Sequence, residues 1–234
     1  MVTELSTEAF IAALRRFVAR RGLCSQIFSD NGTNFVGAAR HLRELYEFIN
    51  QKQEIIKAEL AEQRIDWNFI PPRAPQFGGL WEAAIKMAKR HLFTITEGRV
   101  LTYEEYSTLL TQIEAVLNSR PLTPISSDPA DLSALTPAHF LVGGSLLQPL
   151  QSNRLDVPEN SLSRWQIVQK LSQLFWKRWH VEYLQELQKR TKWTTSDRKI
   201  KIGDLVVIKE DNLPPFRWRL GRVTQTHPDT DGEV

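Results

Sequence analysis

The stretch Ser25-Gln26-Ile27-Phe28-Ser29-Asp30-Asn31-Gly32 decides how the first half of this chain is read. A short apolar run ends on Asp-Asn-Gly, a strong turn signal, which predicts a buried strand handing over to a turn. Upstream, Phe10, Ala13, Leu14, Phe17 and Val18 fall on one stripe behind Ser6, an N-cap residue, and predict an amphipathic helix. Downstream, Ala38, Leu42, Leu45, Ile49, Ile56 and Leu60 share a helical face among Glu, Gln and Lys, predicting an extended charged helix over residues 36–60. Residues 65–70, Ile65-Asp66-Trp67-Asn68-Phe69-Ile70, alternate as a strand should. The prolines and glycines of 71–79 exclude any regular element there, and helices are expected over 80–92 and 103–118. This alternation predicts an α/β layer. Two strands make a poor sheet, so strands upstream of Met1 are expected.

Working toward the C-terminus, residues 123–162 contain prolines, carry little periodicity and read as a linker. Residues 163–190 predict a long basic helix with Trp165, Leu171, Phe175, Trp176 and Trp179 near helical spacing, the pattern of a packed aromatic face. The same helix interleaves Trp176, Lys177, Arg178, Trp179 and His180 as a nucleic-acid surface does, and the two readings compete. A turn and strand over Lys201-Ile202-Gly203-Asp204-Leu205-Val206-Val207-Ile208-Lys209 and a second strand over Arg217-Trp218-Arg219-Leu220-Gly221-Arg222-Val223 follow, and predict a small β module that ends before it closes.

Composition narrows the function classes. Charged residues make up 24% and hydrophobic ones 41%, ordinary globular usage that excludes a wholly disordered chain. No apolar run is long enough for a membrane-spanning helix, so no membrane partner is expected. The N-terminus lacks the pattern of a secretion signal, and the lone Cys24 forms no internal disulfide; an intracellular location is expected. The net charge of +3 is unevenly spread. Residues 1–163 hold 16 Lys+Arg against 18 Asp+Glu, whereas residues 164–222 hold 14 against 6. That asymmetry points to a polyanionic partner such as nucleic acid, although a solvated basic face gives the same count.

Asp30, where a strand meets a turn, and Glu82, in the first turn of a helix, stand where carboxylates hold divalent cations. Two-metal phosphoryl transfer uses hard oxygen ligands of this kind, but usually more than two of them. A common turn sequence and the preference for acids at helix starts explain both residues equally well.

The residues around these acids resemble a known family. Arg20-Arg21-Gly22-Leu23-Cys24-Ser25-Gln26-Ile27-Phe28-Ser29-Asp30-Asn31-Gly32-Thr33-Asn34-Phe35 resembles the region of the second catalytic aspartate of retroviral-type integrases. Pro71-Pro72-Arg73-Ala74-Pro75-Gln76-Phe77-Gly78-Gly79-Leu80-Trp81-Glu82 is similar to the region of their catalytic glutamate. Asn118-Ser119-Arg120-Pro121-Leu122 and Leu135-Thr136-Pro137-Ala138-His139-Phe140 resemble the segments that follow. The combination resembles the integrase region of BEL/Pao-type long-terminal-repeat retrotransposon polyproteins over nearly the whole chain. The C-terminal Gly203-Asp204-Leu205-Val206 and Trp218-Arg219-Leu220-Gly221-Arg222-Val223 are similar to the small domain after their core.

The resemblance implies a partial RNase H-like integrase core over residues 1–122 and a linker over 123–162. A basic helix and an incomplete, small, all-β, barrel-like domain follow over 163–234. It implies Mg²⁺- or Mn²⁺-dependent cutting and joining of DNA strands, with Asp30 and Glu82 as catalytic metal ligands. The family's first aspartate has no counterpart, since Glu4 and Glu8 lie on or beside the first helix, so little strand transfer by this chain alone is expected. Lys86 and Lys89, one and two turns after Glu82, match positions that contact element DNA ends, and Arg90 joins them. Arg217 and Arg219 on one side of a strand, with Arg222 beyond Gly221, suit phosphate tracking. Element-end and target DNA, further copies of the chain and a nuclear location are the implied partners and place. The competing expectations are a non-catalytic DNA-binding module and an inert open reading frame of a decayed element.

Overall fold

A computed structural model describes residues 1–52, 65–71, 79–147, 149, 151–187, 200–210 and 213–227. The chain is a mixed helix-and-sheet protein of two compact units, residues 1–86 and 87–234.

In the first unit, α1 (Thr7–Arg21) starts where Ser6 Oγ accepts a hydrogen bond from Ala9 N at 3.1 Å, as its N-cap spacing demands. It stops at Gly22, whose φ of 83° only glycine adopts without strain. β1 (Gln26–Ser29) follows, then α2 (Thr33–Lys52) and β2 (Asp66–Phe69). β1 and β2 pair in parallel, Gln26 opposite Asp66 and Ser29 opposite Phe69. The predicted continuation of α2 to residue 60 lies outside the described residues. α2 packs on α1 closely enough that a Cβ on Gly37 would fall 2.3 Å from Thr7 Oγ1. Phe10 joins the layers, edge-on to Phe35 at 4.9 Å and tilted against Trp67 at 5.5 Å. The expectation of a buried strand at 25–29 is corrected here. Only Ser29 of β1 is buried, and Phe28 is 59% exposed, because a described partner lies on one flank of the strand only.

The second unit begins within α3 (Gly79–Thr96) and continues with α4 (Tyr103–Asn118). Thr102 and Glu105 close a reciprocal capping box at the start of α4, Thr102 Oγ1 accepting from Glu105 N and Glu105 Oε2 from Thr102 N. Residues 123–162, read as a linker, hold a two-residue antiparallel pair, β3 (Thr123–Pro124) with β4 (Ala134–Leu135). They also hold the short helix α5 (Pro137–Val142) and one 3₁₀ turn (Glu159–Ser161). α6 (Arg164–Leu187) is the long basic helix, and β5 (Leu205–Val207) pairs antiparallel with β6 (Leu220–Arg222).

The core of this unit gathers Met87 and Ile95 of α3, Leu109, Ile113 and Val116 of α4, and Val168, Leu171, Phe175, Trp176 and Trp179 of α6. α6 is therefore amphipathic, as the aromatic-face reading had it, except that Trp165 is 55% exposed. The half-buried Trp218, just before β6, stands edge-on to Trp176, Trp179 and Tyr183, at 5.0, 5.9 and 5.6 Å. Three of these rings find a partner for their polar tips: Trp176 Nε1 on Leu213 O, Trp218 Nε1 on Ser119 Oγ, Tyr183 OH on Pro121 O. Burial pushes the Tyr183 phenol up from its ordinary value.

Candidate functional site

Parallel pairing puts the carboxyl ends of β1 and β2 at one edge of the sheet, the edge where open α/β sheets place their ligands. Asp30 is the first residue past β1 and is exposed. Three hydrogen bonds fix its backbone. Trp67 Nε1 donates to Ser29 Oγ (2.9 Å), Ser29 Oγ donates to Asp30 O (2.9 Å), and Ile70 N donates to Ser29 O (3.0 Å). Asn31 Nδ2 donates to Ile70 O at 2.9 Å and so ties the two strand ends together. Asp30 Oδ1 accepts from Gly32 N at 2.9 Å, an Asx turn. Gly32 is required by close approach, since a Cβ there would sit 2.9 Å from Asn34 Oδ1 and 3.0 Å from Asp30 Oδ1. Asp30 Oδ2 makes no hydrogen bond to a described residue and faces solvent from a fixed backbone.

Glu82 lies in the first turn of α3, as its sequence position required, but its side chain is outside the described residues, as is the loop at 72–78. Asp30 supplies the hard oxygen that Mg²⁺ prefers. One free carboxylate oxygen does not make a two-metal site. Among the described residues no three acidic, histidine or cysteine side chains gather into a metal-holding group.

The six candidate DNA-binding cations divide sharply. Lys86 and Lys89 are exposed on α3 and make no ion pair with a described residue, and Arg217 is exposed in the same condition. Arg90 is engaged by Glu182 of α6, which also takes His91 Nε2 at 2.6 Å. Arg219 is paired with Glu210. Arg222 is turned inward. Its Nη1 donates to Gly203 O at 2.9 Å and its Nη2 to Ser126 O and Asp131 O at 2.8 and 3.0 Å, stitching β6 to the segment between β3 and β4. That guanidinium is spent on carbonyls and offers little to a phosphate. The alternation over 217–220 holds, with Arg217 and Arg219 exposed while Trp218 and Leu220 are half-buried.

The ring-and-base run of α6 is also sorted. Trp176, Trp179 and His180 are buried, and Lys177 and Arg178 are exposed. Sequence reasoning did not find the cluster of Arg90, His91 and Glu182. Desolvation lowers the His91 pKa from its ordinary value of 6.5, outweighing the pull of Glu182. Burial raises Glu182, but hydrogen bonds from Arg90 and His91 hold it below the usual carboxylate range. Only the adjacency of Arg90 and His91 pointed there, because Glu182 is distant in sequence.

Residues 163–234 match a family model, DUF5641, a family of unknown function. No curated protein matches the chain. Among the described residues no helix is long and apolar enough to cross a membrane.

Proposed function

We propose that this chain is the integrase-like part of a BEL/Pao-type retroelement polyprotein and that its own activity is nucleic-acid binding. The observation that carries this reading is Asp30. It stands at the carboxyl edge of a parallel pair, on a backbone fixed by Ser29, Asn31 and Gly32, in the motif that resembles the integrase aspartate region. The β–α–β order with parallel strands supports an RNase H-like core. The exposed ammonium groups of Lys86 and Lys89 and the exposed guanidinium of Arg217 supply phosphate contacts whose strength falls with salt. In the intact parent, Mg²⁺ or Mn²⁺ would activate the attacking and leaving oxygens. Asp30 and Glu82 are two ligands of the three that the resemblance requires, so joining is not assigned to this chain by itself. On this reading its partners are element-end and target DNA and further copies of the chain, and its place of work is the nucleus.

The test is binding of labelled duplex and single-stranded DNA across a salt series, with Mg²⁺-dependent strand joining assayed in parallel. Binding that weakens steeply with salt and survives Asp30→Ala is expected, without joining. Salt-independent binding, or none, overturns the proposal. Joining that disappears in Asp30→Ala would return catalysis to this chain.

A further inference from the structure

One face of α6 forms the floor of a cavity of about 100 Å³ through Gln173, Trp176, Lys177 and His180, at successive helical spacings of three, one and three residues. Its walls come from two segments far apart in sequence, Gln151, Asn153 and Leu155 from one and Leu213-Pro214-Pro215 from the other. Side chains of the floor hold both walls. Gln173 Nε2 donates to Ser152 O at 3.0 Å while its Oε1 accepts from Arg154 N at 2.9 Å, and Trp176 Nε1 donates to Leu213 O at 2.8 Å. The cavity is thus preformed, and filling it costs little ordering.

The buried His180 is stacked on Trp176 at 5.1 Å, and its Nδ1 lies 2.7 Å from Trp176 O. A carbonyl only accepts, so the proton is on Nδ1, and in the neutral ring the Nε2 lone pair is left over. Nε2 has no hydrogen-bond partner among the described residues, although His180 lines the cavity. The floor therefore asks for a donor, Leu155 and the prolines ask for a flat apolar face, the amides of Gln151 and Asn153 leave room for polar groups at its edge, and the exposed Lys177 asks for an anion. A closed cavity of about 150 Å³ takes a whole benzene ring; this one, at about 100 Å³ and open at its mouth, seats one six-membered ring only in part, and a fused bicycle would project further from it. A pyrimidine nucleotide offers all of these: a donor-bearing six-membered ring, a flat face and an anion.

We propose that this cavity captures an unpaired pyrimidine base of a single-stranded nucleic acid, between Leu155 and the Pro214-Pro215 wall, with His180 Nε2 accepting from the base and Lys177 meeting its phosphate. This deepens the nucleic-acid reading of the chain and rests on it.

The experiment uses the full chain and fluorescein-labelled single strands of equal length and charge: oligo-dC, oligo-dT, oligo-dA and an oligomer of abasic sites, read by anisotropy at one salt concentration. Both pyrimidine strands are expected to bind about tenfold tighter than the abasic strand, and tighter than oligo-dA. Leu155→Trp, which fills the cavity, is expected to erase that preference while leaving abasic binding unchanged. Equal affinity for pyrimidine and abasic strands overturns base capture and leaves phosphate-driven DNA binding standing. Binding of none of the strands removes both. Loss of self-association in Leu155→Trp with no change toward DNA would instead assign the cavity to a side chain of a second copy and overturn the proposal. Should Leu155→Trp not fold, the wild-type comparison of pyrimidine, purine and abasic strands decides alone.

Discussion

Residues 1–86 and residues 87–234 solve the same packing problem by opposite means. In the first unit α1 buries no residue fully, and the described aromatic contacts form one short chain, Phe35 to Phe10 to Trp67 to Phe69. In the second, three helices pool ten buried apolar side chains, and Trp218 presses against three rings of α6. Among the described residues the unit that carries Asp30 and its turn buries the apolar side chains of Ala38, Ala39 and Ile65, whereas the one that carries most of the basic charge is built around a dense core. Fixing Asp30 takes a handful of hydrogen bonds at a strand end, and those do not need a deep core beneath them.

The largest break in that comparison is Phe175→Ala. Phe175 is fully buried among α3, α4 and α6, and its loss is expected to cost about 3–5 kcal/mol in urea unfolding followed by tryptophan fluorescence. Phe10→Ala, in the first unit, should cost clearly less; an equal cost would erase the contrast. Next comes Arg222→Ala, which frees three carbonyls and is expected to destabilise by about 1–3 kcal/mol while leaving the salt slope of DNA binding unchanged. Arg217→Ala should do the reverse, holding stability and lowering that slope by about one. Thr102→Ala removes one half of a capping box, about 1 kcal/mol by thermal unfolding.

The smallest effect is a pH dependence. The unfolded His91 takes up its proton near 6.5 and the folded one only at lower pH, so the unfolded state binds protons first as the medium is acidified. Stability from this group is therefore complete above 6.5 and is lost as pH falls from there through the folded value. His91→Gln should flatten the stability profile in that window, and an unchanged profile would show that His91 does not contribute to it.

What could be read from sequence was local. Ser6 and the stripe from Phe10 to Val18 gave α1, the span 103–118 matched α4 at both ends, and the spacing of Leu171, Phe175, Trp176 and Trp179 foretold the buried face of α6. Asp30 was placed at the end of a strand for the right reason, since Asp-Asn-Gly stops β1 there. Long-range pairing was not legible. Arg222 looks like any strand arginine until Ser126 and Asp131 arrive from some ninety residues away, and Arg90 looks free until Glu182 arrives from a similar distance. Phe28 was read as buried because an apolar residue in a short run says nothing about how many neighbours its strand has. The cavity beside His180 was hidden likewise, its walls belonging to two segments without periodicity.

The indoles of Trp176, Trp179 and Trp218 lie with ring centroids 5.0 to 6.5 Å apart, at interplanar angles of 46° to 80°. Chromophores so close and so inclined share their excited states, and Trp218 comes from the β5–β6 hairpin while the other two come from α6. Attachment of the hairpin to the helix thus writes its own near-ultraviolet dichroic band. Detachment can be timed by watching that band fade, with no label attached to the protein.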